Sequence, residues 1–136
     1  MCQIHNNRVP KGRDIIAYKV LYAKDNELFT PYQDFPMEIG KEYYTGRLTI
    51  AREGCAIDMG FFHSFKNMKD AKKWIKTIEN ITLKSYRIMK VLIPNTEKEC
   101  LVYSGEFWAS YQLEHVESYA SNKIVILEEV YVPDTQ

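Results

Sequence analysis

Apolar and polar positions change period several times along the chain, and each change marks an element. Asp14 to Tyr22 ("DIIAYKVLY") is dense in Ile, Val, Leu and Tyr, the composition of a short strand buried on one face and partly on the other. From Asn67 to Asn80 the period lengthens, with Met68, Ala71, Trp74, Ile75 and Ile78 recurring at steps of three and four as one apolar stripe. Asn67 is placed to cap that helix, and Asp70, three residues on, resembles a capping box and suits the positive end of the helix dipole. Lys66, Lys69, Lys72, Lys73 and Lys76 fall mostly away from the stripe.

The remaining segments read as strands and punctuation. "SYRIMKVLIP" is a strand stopped by Pro94, "NTEKE" a turn and "CLVYSG" its return strand, which together predict a hairpin. "EFWASYQLEHVESYAS" fits either a short helix or a loop, and "KIVILEEVYV" reads as a central strand before Pro133. "TPYQDFP" is a turn-rich loop, and "EIGKEYYTGRLTI" predicts short extended pieces punctuated by Gly40 and Gly46. The first 13 residues, with Pro10 and Gly12 and no period, read as an irregular arm before a single domain over 14–136. The expected fold is α+β: a mixed or mainly antiparallel sheet of five or six short strands, with the Asn67–Asn80 helix packed on it through Trp74, Ile75 and Ile78.

Length and composition agree with one soluble domain, since 136 residues suffice for one core, and 46% hydrophobic and 26% charged residues are ordinary values. The ten tyrosines are the departure, because a tyrosine ring can be buried while its hydroxyl bonds at a rim or pocket. Formal charge is zero, so no overall field draws the chain to nucleic acid or a membrane. Locally, Lys66 to Lys90 carries an excess of six positive charges and the chain from Glu97 onward an excess of six negative ones. The two segments are expected to lie side by side and neutralise each other. Cys2, Cys55 and Cys100 show no CxxC spacing, which favours a reducing cytoplasm over a disulfide framework. No apolar run reaches the roughly 20 residues of a membrane span, and the N-terminus has no secretory h-region.

Chemistry-bearing residues are few. His63 lies among Phe61, Phe62 and Phe65 in "GFFHSF", an apolar setting that would lower an imidazole pKa towards neutrality. His5, His63 and His115 show no metal-ligand spacing, so neither a metal nor another cofactor is expected. Cys2 would become N-terminal on removal of Met1, yet "CQIHNNR" lacks the glycine usual after a nucleophilic N-terminal cysteine. The lysine face of the helix could meet phosphates, with no arginine enrichment or nucleic-acid motif beside it.

The chain resembles small bacterial and phage domains that carry a "YKVL" strand, a "GFH[SA]F"-type turn before a helix and a "YAS.KI.IL" ending, matched here by "AYKVL", "GFFHSF" and "SYASNKIVILEEV". More remotely, the motif order is similar to that of ADP-ribosyltransferases: Tyr18 and Lys19 match their early aromatic-plus-basic strand, Phe62 to Ser64 their "FxSTS"-like turn, and "VLIPNT" a later strand. Where that family places a glutamate before its last strand, this chain has Ala120, Ser121 and Asn122. The resemblance therefore implies an aromatic cleft that holds a nucleotide-like ligand without cleaving it.

The leading expectation is a non-catalytic binding protein, phage- or mobile-element-encoded, taking a nucleotide-like small molecule or a protein partner. Its ligand-binding candidates are Tyr18, Lys19, Tyr44, Phe62, His63, Ser64 and Trp108. The alternatives are a divergent ADP-ribosyltransferase-like enzyme using His63 with Glu106 or Glu114, and nucleic-acid binding through the basic helix 67–80.

Overall fold

The computed structural model describes residues 3–31, 34–46, 61–109 and 114–133, with the backbone alone at 3–6, 80, 107–109 and 114–115. It corrects the expected α+β fold of five or six strands. The chain is mostly sheet: ten strands, all antiparallel, in one sheet, with a single helix among the described residues. They are β1 (Gln3–Arg8), β2 (Ile15–Lys24), β3 (Glu27–Phe29), β4 (Pro36–Met37), β5 (Glu42–Tyr44), β6 (Phe62–Phe65), α1 (Met68–Thr82), β7 (Ser85–Ile93), β8 (Val102–Ala109), β9 (Glu114–Ser121) and β10 (Lys123–Tyr131). The hydrogen-bonded order is β1-β8-β9-β6-β2-β7-β10-β5, with β3 and β4 appended to β2.

The undercount has identifiable sources. Gln3–Arg8, expected as an irregular arm, is β1 and pairs with β8. "FHSF", expected as a turn, is β6. The segment left between helix and loop contributes the end of β8 and all of β9. Asp25 and Asn26, at φ 52° and 65°, close a two-residue hairpin from β2 into β3, as residues tolerant of left-handed backbone can. The hairpin expected between "SYRIMKVLIP" and "CLVYSG" does not form: β7 lies between β2 and β10, and β8 between β1 and β9.

The helix begins where its cap predicts. Asn67 is extended, its side chain accepts from the Asp70 N–H at 2.9 Å, and its amide donates to the Asp70 carboxylate, also at 2.9 Å. It ends later than expected, at Thr82, with Leu83 in left-handed geometry (φ 57°) donating its N–H back to the Glu79 carbonyl. Ala71, Trp74, Ile75 and Ile78 join Val20, Tyr22, Phe65, Tyr86, Ile88 and Val116 in one buried cluster on the outer face of the sheet.

The opposite, inner face carries a second cluster, including Ala17, Leu21, Met89, Val91, Ile93, Val102, Ile124 and Ile126. Both limbs of the sheet supply it because the sheet coils back on itself. β9 runs into β10 through Asn122 alone, although β6, β2 and β7 separate the two in hydrogen-bonded order. At this corner Asn122 accepts from the Leu101 N–H (2.7 Å) and donates to the Glu99 carbonyl (2.9 Å). Charge neutralisation between basic and acidic segments is seen where β7 meets β10, as in Arg87–Glu129 at 3.4 Å. Glu97 and Glu99 turn instead to Lys123.

Candidate functional site

Side chains alternate across a strand, so neighbours in sequence leave opposite faces. That rule divides the predicted site residues. Tyr18 and His63 belong to the outer face: Tyr18 packs against the helix-side cluster, and His63 stands in line with Ala120 and Tyr103. Lys19, Phe62 and Ser64 belong to the inner face, where Phe62 and Tyr119 pack against the second cluster. The seven ligand-binding candidates therefore do not line one cleft.

The inner-face members are part of a longer arrangement. Tyr18 pairs with Phe65, which sets Lys19 opposite Ser64 in the same antiparallel register. Ser64 pairs with Tyr119, Tyr119 with Ser104, and Ser104 with Asn7. One polar row thus crosses five adjacent strands on one face. Burial is graded along it: Lys19 and Ser64 are buried, Tyr119 and Ser104 half-buried, and Asn7 exposed. The row runs from solvent into the interior and ends at a lysine.

Lys19 is 6% exposed, and its Nζ donates to the main-chain carbonyl of His63 at 2.8 Å. Its neighbours across the two ladders, Met89 and Ser64, are uncharged. Desolvation by burial disfavours the ammonium and lowers its pKa from 10.5 to about 8. Two buried hydroxyls on this face, Ser64 Oγ and Ser121 Oγ, have no hydrogen-bond partner. Ser121 pairs with Phe62, two residues from Ser64, so the two serines are diagonal neighbours. Buried polar groups are normally satisfied by protein or by ordered water, so these two hydroxyls have capacity for a polar partner. On the rim, Lys66 Nζ lies 5.1 Å from the centre of the Tyr119 ring, whose phenol pKa is raised by burial and by nearby Glu117. The arrangement brings together a buried amine, buried hydroxyls, the rings of Phe62 and Tyr119, and the half-buried cation of Lys66.

The other candidates lie elsewhere. His63 serves Lys19 through its main-chain oxygen, while its ring is on the opposite face. Glu106 pairs with Glu117, three positions along β8 from the Tyr103 that lines up with His63, and so leaves the inner face. Glu114 opens β9, six positions from the Ala120 that pairs with His63; its side chain and that of Trp108 lie outside the described residues. Tyr44 is exposed on β5 opposite Lys123, whose Nζ lies 5.6 Å from the centre of its ring.

Lys123 is itself enclosed by Glu97, Glu99 (2.9 Å) and Glu42 (3.7 Å), and those carboxylates raise its pKa. Among the described residues, no group of three or more His, Cys, Asp or Glu could hold a metal. Cys2 and Cys55 lie outside the described residues, whereas Cys100 is free and buried, with its thiol pushed up to about 11 by burial.

Sequence reasoning missed Tyr119, Ser104, Ser121 and Asn7. Their signal was present as alternation: in "VESYAS", Glu117, Tyr119 and Ser121 occupy every second position once the segment is read as a strand. Comparison with known proteins adds no relative: no family model, no curated protein and no solved structure matches the chain.

Proposed function

We propose that the protein binds a small, anionic, ring-bearing molecule of nucleotide-like size along the inner face of the sheet, between Lys19 and Lys66. The carrying observation is Lys19, a buried amine with a carbonyl at 2.8 Å and no ion pair to a carboxylate among the described residues, opposite the unpartnered hydroxyl of Ser64 and with that of Ser121 diagonal to Ser64. A negatively charged or acceptor-rich ligand would offset the desolvation of Lys19 and satisfy Ser64 and Ser121, while Phe62 and Tyr119 pack on its ring. Lys19 and Tyr119 are two strand positions apart, about 10 Å, a span that suits a ligand with a ring at one end and a polar group at the other.

Binding without turnover is the reading the geometry favours. An ADP-ribosyltransferase-like mechanism using His63 with Glu106 would need the two side chains to converge, and they leave opposite faces. A reducing cytoplasm accords with the free, buried Cys100, and no described helix is long and apolar enough to cross a membrane.

Titration calorimetry against nucleoside monophosphates and aromatic carboxylates tests the proposal. Saturable binding weakened at least about tenfold, or about 1.4 kcal/mol, in Lys19→Met is the expected result. No heat across the panel, or binding indifferent to Lys19, would remove its support.

A further inference from the structure

The two lysines of the inner face are unlike in setting. Lys66 is half-buried, lies against a ring and stands at the solvent end beside exposed Glu117. Lys19 lies at the buried end of the row, held from one side by the His63 carbonyl, with Ser64 opposite it and Ser121 diagonal to Ser64. Rim lysines suit charge contact with an anion. A buried amine opposite an unpartnered hydroxyl, with a second one diagonal to the first, suits covalent chemistry, because amine condensation with a carbonyl needs a neutral nitrogen, an oxygen donor for the developing hydroxyl and exclusion of bulk water.

We infer that Lys19 is a covalent attachment point for a carbonyl ligand, its amine condensing with an aldehyde or ketone on a small anionic molecule whose charge is met by Lys66. The inference rests on the binding reading above and specifies its ligand class. In the first step the Lys19 nitrogen lone pair forms a bond to the carbonyl carbon, and the C=O π pair moves to oxygen. That oxygen takes up a proton as the nitrogen gives one up, leaving a neutral carbinolamine. The carbinolamine hydroxyl then leaves as water, taking the remaining N–H proton overall, and C=N forms. One water is released, and nothing is oxidised or reduced.

Ser64, opposite Lys19, is the group placed to hand on the proton and to hold the carbinolamine hydroxyl, and Ser121, diagonal to Ser64, faces the part of the ligand further along the row. The depressed pKa of about 8 adds that about a fifth of Lys19 is neutral near pH 7.4, against about 0.1% of an ordinary lysine.

Pyridoxal 5′-phosphate is a suitable probe, having a ring, an anion and an aldehyde; pyridoxine 5′-phosphate carries an alcohol in place of the aldehyde. The full chain is incubated with substoichiometric aldehyde, reduced with cyanoborohydride, which delivers hydride to C=N and fixes the adduct, and mapped by peptide mass spectrometry. The expected result is an adduct at Lys19 at least about tenfold more abundant than at any other lysine, with its yield lowered in Lys66→Ala.

Adducts scattered over the surface lysines with Lys19 unmodified would overturn the inference. If Lys19 is unmodified but pyridoxine 5′-phosphate binds in a Lys19-dependent manner, the covalent step is wrong and the binding reading stands. If neither compound binds, the covalent inference falls, and the nucleotide and carboxylate titrations decide the binding reading separately. Mapping the unaltered chain keeps the result independent of whether a Lys19 variant folds.

Discussion

A lysine with a lowered pKa weakens the fold that lowers it, which makes Lys19 measurable without any ligand. The folded-state value is about 8 against 10.5 in the open chain, so the folded protein binds that proton less well. Stability should therefore rise with pH between those two values, where the unfolded state holds more protons. Below pH 8 the full penalty applies, about 3 kcal/mol from a shift of this size. Removing the charge while keeping the chain length, as in Lys19→Met, is expected to raise stability at pH 7 by about 1–3 kcal/mol after the loss of the bond to the His63 carbonyl. Urea melts at pH 7 and pH 10 check this, with the gain shrinking at the higher pH; a destabilised variant at pH 7 would mean that Lys19 is better solvated than its burial implies. Leu83 presents a smaller backbone version of the same tension. It is 90% exposed and sits at φ 57°, so Leu83→Gly removes little packing and relieves a conformation that side chains disfavour. A gain of about 0.5–1 kcal/mol in the same melts is expected.

At the scale of elements, α1 is held by one residue more than any other. Trp74 is 2% exposed, its ring 5.9 Å from Phe65 and 6.1 Å from Tyr86, so it joins the helix to β6 and β7 together. Trp74→Ala is expected to cost about 3–5 kcal/mol, whereas Lys69→Ala on the exposed side stays within about 0.5 kcal/mol; chemical denaturation of both variants is the check. This helix was legible in the sequence because its signal is local: a stripe of period 3.6, an asparagine cap and an aspartate three residues on. β2, β7 and β10 were legible for a similar reason, being long runs of β-branched and aromatic residues. β6 and β9 were not, since four residues show little periodicity and "HVESYAS" alternates polar with small or aromatic residues, and β1 is short and polar. Each is a strand because its neighbours supply a ladder, which no local pattern contains. The site suffered the same fate. Tyr18 and Lys19, or Phe62 and His63, look like clusters while "GFFHSF" is read as a turn, and they part to opposite faces once it is a strand. Lys19 and Ser64 were named, but the row through Tyr119, Ser104 and Asn7 depends on strand order and register.

The shape of the whole molecule depends on the place where its sheet turns back on itself. Local pairing alone would leave β8 and β9 on one limb and β7 and β10 on the other, and the chain passes between limbs at Asn122. That residue is fully buried, and its side chain accepts the Leu101 N–H and donates to the Glu99 carbonyl, filling main-chain valences that a strand corner leaves open. Lys123 follows at once and takes Glu97, Glu99 and Glu42 from the 94–100 connection and from β5, so the same corner is tied by hydrogen bonds and by charge. The carboxylates are partly exposed, and the pKa of Glu99 is lowered chiefly by its hydrogen bond to Lys123, so the ionic part is present at neutral pH and lost as acid protonates Glu99. The hydrogen-bonded part is insensitive to pH. Asn122→Ala leaves the buried Leu101 N–H and the part-buried Glu99 carbonyl without their side-chain partner and is expected to cost about 1–3 kcal/mol, with the same loss at pH 4 as at pH 7. Lys123→Met is expected to cost about 1–2 kcal/mol at pH 7, and less at pH 4. Hydrogen exchange separates the corner from the rest of the fold: in Asn122→Ala the amides of β8 and β9 should exchange faster than those of β2 and β7, because opening the corner frees one limb first. Uniform acceleration over all strands would show instead that the limbs unfold together and that the corner does not govern their coupling.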